Sequence, residues 1–250
     1  MKNTNLTLID YFRIKDWFHY LGYVLLGSLL ANSFNIFNFF AAASILAYAY
    51  SLNDYYDKKL NKKYFIIPFF LYIAILPFLS IFSILISISF LILFTIYSWP
   101  KVWLEGKPIL STLTNSIGFT LIFILPINSI KMILDYCPLV LLIFTLNTAA
   151  QLLHEIVDSK EDKKIKKITT TVRFGAKTAL VLFKLCLLSA MIISALIFSK
   201  FPLISLSSAI FSLLFIPVTT INKKIRKKFR ILGIIFGAIY IIEILQTYMK

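Results

Sequence analysis

The chain is predicted to be an all-α, polytopic membrane protein, on three observations. Hydrophobic residues fill 59% of its 250 positions and charged residues only 15%, with a mean hydropathy of +0.85, well beyond what a water-soluble domain carries. Apolar runs long enough to cross a bilayer recur along the whole length. Lys and Arg fall in short clusters between those runs rather than along an amphipathic face, so the net charge of +15 points to membrane topology and not to nucleic acid.

Windows of about 17 or more mostly apolar residues place nine spans, near 16–32, 34–52, 64–79, 80–98, 109–127, 132–153, 176–199, 201–219 and 230–248. The first follows Arg13 and Lys15 as a secretory leader would. It lacks a small-x-small cleavage site and more spans follow, so it is an anchor. No charge separates the third from the fourth, and the division between them rests on the turn from Pro77 to Ser80. The remaining spans are bounded by polar or basic segments. Together they make one integral membrane domain over residues 1–250. Cys137 and Cys186 lie inside apolar runs without metal-ligand or disulfide spacing and act as small buried hydrophobes. His19 packs near the start of the first span, and Lys184, inside the seventh, snorkels or pairs.

Counting charges tests the spans independently. With the N-terminus in the cytoplasm, 22 of the 26 Lys and Arg residues fall in inner segments, as short cytoplasmic loops require. Lys131, Lys200 and Lys250 fall outside. Nine spans then leave the C-terminus on the outer side of the cell membrane.

Two acidic clusters remain, and helix physics does not ask for either. The second span ends in Ser51-Leu52-Asn53-Asp54-Tyr55-Tyr56-Asp57 and is followed by Asn61. At roughly 100° per residue, a helix continued this far would hold Asn53, Asp54, Asp57 and Asn61 within about a 100° arc. The sixth span ends in Gln151-Leu152-Leu153-His154-Glu155, and Glu155, Asp158 and Asp162 follow at i, i+3 and i+7 on one face. Both spans run inward, so both clusters sit at helix C-termini on the same side of the membrane. Carboxylates there oppose the macrodipole by about 0.3–1 kcal/mol each and repel one another. A hard divalent cation offsets such charge, and Mg²⁺ in particular is held by one or two carboxylates together with phosphate oxygens.

These residues resemble the UbiA superfamily of intramembrane prenyltransferases. Asn53-Asp54-Tyr55-Tyr56-Asp57 is similar to that family's first Asp-rich motif, and Glu155, Asp158 and Asp162 to its second, Asp-x-x-Asp-x-x-x-Asp. Tyr97-Ser98-Trp99-Pro100 looks like its Tyr-Ser-x-Pro loop, and Thr169-Thr170-Thr171-Val172-Arg173-Phe174-Gly175 like the segment leading into its seventh helix. The resemblance covers nearly the whole chain and implies a nine-helix bundle with Mg²⁺ as cofactor. It implies transfer of an isoprenoid group from a prenyl diphosphate to a hydrophobic or aromatic acceptor in the lipid phase. On this basis Asp54, Asp57, Asp158 and Asp162 are the expected catalytic carboxylates, with Asn53 and Glu155 completing the metal ligands. Lys101, Lys107, Lys160 and Arg173 are the expected diphosphate cations. Asn61, Tyr97, Gln151 and His154 are candidate substrate contacts.

Departures from the pattern are specific. Asn61 stands for the family's third Asp, and the Pro-x-Arg-Pro segment that should follow is absent. Glu155 replaces Asp, His154 and Glu105 each replace Lys, and Lys166 replaces Gly. A non-catalytic member that binds or carries an isoprenoid or lipid phosphate is therefore the alternative. A transporter is disfavoured because the carboxylates lie at helix ends rather than at mid-bilayer.

Overall fold

The computed structural model describes residues 8–58 and 61–248, and among them all regular structure is helical. The principal helices are α1 (Leu21–Leu30), α2 (Ile36–Lys58), α3 (Lys63–Ile75), α4 (Ile81–Ser98), α5 (Leu110–Ile124), α6 (Cys137–Lys164), α7 (Ala176–Ile197), α8 (Pro202–Phe215) and α9 (Lys223–Tyr248). They form two compact units. One runs to Val102 and includes Leu121–Ser129; the other comprises Trp103–Thr120 and the residues from Ile130 onward.

Each expected span coincides with a helical segment, but the count of nine membrane crossings is not confirmed. Among the described residues five helices are long and apolar enough to cross a membrane: α2, α4, α6, α7 and α9. The segments Lys63–Phe78, Leu110–Ile124 and Pro202–Phe215 are apolar but shorter. The first expected span is not one helix. It breaks into Ile14–Trp17, a 3-10 turn at Phe18–Tyr20, and α1. The sixth divides at Tyr136, after the short helix Ile130–Asp135, and its main helix continues well past residue 153 to Lys164.

In the first unit α2 packs against α3 and α4. Its small residues Ala41 and Ala42, with Ile45 and Leu46, are fully buried, and 61% of its most apolar window is enclosed. Side-chain caps set the helix starts. Asn35 Oδ1 accepts from Phe37 N at 2.9 Å, and Ser80 Oγ accepts from Ser83 N at 3.0 Å, so the uncharged turn between α3 and α4 is built by Pro77 followed by a capping serine. Gly27 of α1 lies against the backbone at Phe123: a Cβ there would meet the Phe123 carbonyl oxygen at 2.1 Å.

In the second unit α7 packs against α6 and α8, and α9 against α6 and α8. The core is aromatic, with Phe229 of α9 meeting Phe211 at 4.7 Å and Phe215 at 4.9 Å. Outward faces are apolar too: Ile192 and Leu196 of α7 are more than 60% exposed, a surface suited to lipid rather than water. Hydroxyls on these helices bond back to the preceding turn, as Thr145 does to Leu141 O at 2.7 Å and Ser194 to Ala190 O at 2.7 Å. That satisfies them without water.

One carboxylate serves the packing. Glu243 of α9 is 4% exposed and accepts from the backbone N–H groups of Leu203 at 2.7 Å and Ile204 at 2.5 Å. It thereby caps the N-terminus of α8 from another helix. Glu243→Gln, which keeps the shape but loses the charge and one acceptor, is expected to cost roughly 1–2 kcal/mol, read as a lower thermal midpoint in detergent.

Candidate functional site

Each unit carries one acidic helix end. In the first, α2 continues through the expected cluster, so Asn53, Asp54 and Asp57 do share its last two turns. Asn61 does not join them. It is exposed, outside α2, and its Oδ1 accepts from Lys63 N at 3.0 Å at the start of α3. Asp54 is buried, 3% exposed, and accepts from Arg13 Nη1 at 3.2 Å, while Asp57 is exposed. Arg13 is itself fixed by Asp16, with Nε to Oδ2 at 2.8 Å, and its guanidinium lies 5.0 Å from the Tyr50 ring centroid. Burial works against the Arg13 charge, but the hydrogen bond to Asp16 and the charges of Asp54 and Asp16 outweigh it and push its pKa up. Arg13 is thus a permanent cation in the left-handed backbone region (φ 51°).

In the second unit the three carboxylates on the polar end of α6 have different surroundings. Glu155 is 3% exposed. It accepts from Thr112 Oγ1 of α5 at 2.7 Å and from Thr171 N at 3.3 Å. Thr112 Oγ1 also lies 2.8 Å from Thr170 Oγ1, which accepts from Ile109 N at 2.9 Å. Asp162 is met by Thr169 Oγ1 at 3.4 Å and lies in the electrostatic reach of Lys167, Asp158, Glu155 and His154. The threonine run is therefore folded onto the acidic face by side-chain and backbone donors. Thr171 Oγ1, by contrast, is a buried hydroxyl with no partner among the described residues.

Asp158 faces a different set. Arg226 Nη1, from the first turns of α9, donates to both of its oxygens at 3.0 Å, and His154 Nδ1 lies 2.7 Å from its Oδ2. Glu105, buried at 5% exposure, is ion-paired with Lys167.

Backbone strain gathers around this second site. Trp103, Ile109 and Lys166 all have positive φ (44°, 64° and 59°), uncommon for residues other than glycine and for β-branched Ile109 a clear outlier. Lys166 holds the left-handed conformation that glycine adopts freely, so the lysine carries backbone strain that a glycine at this position would not. Gly175 (φ 88°, ψ 156°) occupies a region nearly closed to other residues although its surroundings are open. Gly175→Ala is expected to cost about 1–3 kcal/mol from backbone strain alone, checked by thermal unfolding of the purified variant.

Of the other residues singled out from sequence, Lys101, Lys107, Lys160 and Arg173 are exposed, Gln151 is half-buried and Tyr97 is buried. Lys101 Nζ sits 5.8 Å from the Trp99 ring centroid. Sequence reasoning did not find Arg13, Lys167 or Arg226 as counter-ions, nor Thr112 as a carboxylate partner. Cys137 and Cys186 are free.

The donor set around both acidic ends is hard oxygen, suited to a small divalent cation. Among the described residues, no group of three or more His, Cys, Asp or Glu side chains is placed to hold a metal ion.

The model of the UbiA prenyltransferase family matches residues 62–232. No curated protein sequence matches the chain. Among solved structures, a UbiA homolog from Archaeoglobus fulgidus bound to GPP and Mg²⁺ aligns over 95% of this chain and 99% of its own, with TM-score 0.74 and 17% identity. The same homolog bound to DMAPP and Mg²⁺ gives TM-score 0.76 at 17% identity, over 96% and 99%. A structure of digeranylgeranylglyceryl phosphate synthase gives 0.72 at 18%, over 96% and 98%. At these identities the likeness is one of fold.

Proposed function

The chain belongs to the UbiA prenyltransferase family, and on that premise we propose that it transfers an isoprenoid group from a prenyl diphosphate to a hydrophobic or aromatic acceptor dissolved in the membrane. The observation that carries the reading is the pair of acidic helix ends, Asn53, Asp54 and Asp57 on α2 and Glu155, Asp158 and Asp162 on α6, each on an apolar helix. Solved relatives bound to GPP or DMAPP together with Mg²⁺ support it.

Mg²⁺ fits residues of this kind, and Asp54, Asp57, Asp158 and Asp162, with Asn53 and Glu155 assisting, are the residues that would hold it. When bound, it supplies positive charge that stabilises the departing diphosphate. The chain's own groups do the rest. Lys101, Lys107, Lys160 and Arg173 draw the diphosphate to a basic face and neutralise the charge that grows on it as the bond to the allylic carbon breaks. The acceptor attacks that carbon, a new bond forms, and its proton leaves to solvent. Glu155, held by Thr112 and Thr171, keeps the threonine segment on the acidic face and so sets the wall of the site. We place the N-terminus and this polar face in the cytoplasm, from the charge asymmetry of the loops.

The test is a panel of allylic diphosphates offered with apolar acceptors to the purified chain, with Mg²⁺ or with a chelator. Diphosphate release that requires both Mg²⁺ and acceptor is expected. Tight diphosphate binding without any turnover would replace this reading by that of a carrier.

A further inference from the structure

Asp158 is closed by the protein itself. One guanidinium nitrogen of Arg226 lies 3.0 Å from each carboxylate oxygen, and the 2.7 Å contact to His154 requires a proton between the atoms, so Nδ1–H donates as well. The partners come from different helices. Asp158 lies in the polar C-terminal part of α6, six residues before its end. Arg226 stands in the first turns of α9, whose start is fixed by Asn222 Oδ1 accepting from Lys224 N at 3.0 Å and Ile225 N at 3.1 Å.

Arg226 also differs from the arginine of the first unit. Arg13 is tied to Asp16 on its own segment and to the Tyr50 face. Arg226 has its side-chain contacts only with His154 and Asp158 among those described, and it remains about one-third exposed. It holds Asp158 but is not itself locked. A cation binding Asp158 must displace it, and a displaced guanidinium beside a diphosphate finds two parallel acceptor oxygens of the kind it binds best.

We propose that Arg226 is an exchangeable counter-ion: it occupies Asp158 when the site is empty and transfers to the donor diphosphate when a divalent cation takes the carboxylate. The inference rests on the prenyl-transfer reading above and adds a donor-binding residue to it. Two consequences of opposite sign follow. Removing the guanidinium removes a competitor for the metal and also removes a phosphate ligand.

The experiment uses the full chain in detergent with Mn²⁺ as the probe, followed by electron paramagnetic resonance, and inorganic pyrophosphate, followed by calorimetry at fixed Mn²⁺. Arg226→Gln is expected to bind Mn²⁺ alone about tenfold more tightly and pyrophosphate about tenfold more weakly. Arg226→Lys should recover most of the Mn²⁺ competition but little of the bidentate phosphate contact. A purely structural role would weaken both affinities together, and that result overturns the proposal, as does a pair of unchanged affinities. Wild-type protein that binds neither probe would overturn the prenyl-transfer reading and this inference with it; wild type that binds both while Arg226→Gln matches it leaves that reading standing and removes only Arg226.

Discussion

Asp57→Ala and Asp158→Ala are each expected to lower diphosphate release from an allylic diphosphate by about 10²–10³-fold or more, while the variants still elute as folded protein. The magnitude is that of removing one charged group from a site organised to stabilise developing charge. The two substitutions should differ in a second readout. Asp57 is exposed, and its loss should cost less thermal stability than that of half-buried Asp158. Asp158 neutralises Arg226 at 3.0 Å and meets His154 at 2.7 Å, so its loss leaves the Arg226 guanidinium without its counter-ion and should lower the thermal midpoint as well. Turnover that persists in both variants would remove these residues from the site.

Gly27→Ala is expected to be the most damaging single methyl addition in the first unit. The new Cβ would lie 2.1 Å from the Phe123 carbonyl oxygen and 2.8 Å from the Pro126 ring. Neither is the end of a flexible side chain, so α1 or the segment around Phe123 must move bodily. A loss of about 3 kcal/mol or more is expected. Gly237→Ala is the control. It lies in α9 with nothing within 4 Å of an added Cβ, and alanine's helix propensity should make it neutral or stabilising by about 0.5–1 kcal/mol. Midpoints of thermal unfolding in the same detergent separate the two, and equal midpoints would show that α1 does not make this close approach.

Helix positions were legible because lipid demands that backbone polar groups be satisfied within each segment, which makes apolar runs and helices nearly the same thing. Even the uncharged break between α3 and α4 could be found from Pro77 and Ser80, a helix stop followed by a cap. What hydropathy cannot see is length after packing. The first run, 16–32, reads as continuous, yet it takes up the end of a short helix at Ile14–Trp17, a 3-10 turn at Phe18–Tyr20 and only a ten-residue helix. The start of α9 was misplaced for the opposite reason. Its seven N-terminal residues from Lys223 to Phe229 are mostly basic, and composition reads them as loop, whereas Asn222 caps them as helix.

At the acidic ends, spacing alone put Asn53, Asp54 and Asp57 on one helix, and Glu155, Asp158 and Asp162 on another. It could not show what neutralises them. A basic cluster beside an apolar run reads first as a topology mark. Arg226 was hidden among neighbours that carry the same charge for a different reason. Asn61 failed as a face-sharing residue because α2 ends first.

The last helix carries two polar attachments, Arg226 to α6 and Glu243 to the start of α8. Seventeen residues at 1.5 Å each separate them by roughly 25 Å along the axis, close to the thickness of a bilayer's hydrocarbon layer. An apolar rod in oil has no preferred depth over several ångströms, since sliding exposes one methyl as it buries another. Pinned at each leaflet, α9 has a fixed vertical register, and a slip of one residue would break an ion pair at one surface and a helix cap at the other. Arg226 is thereby delivered to a constant height, where a charge that must change partners can find both of them.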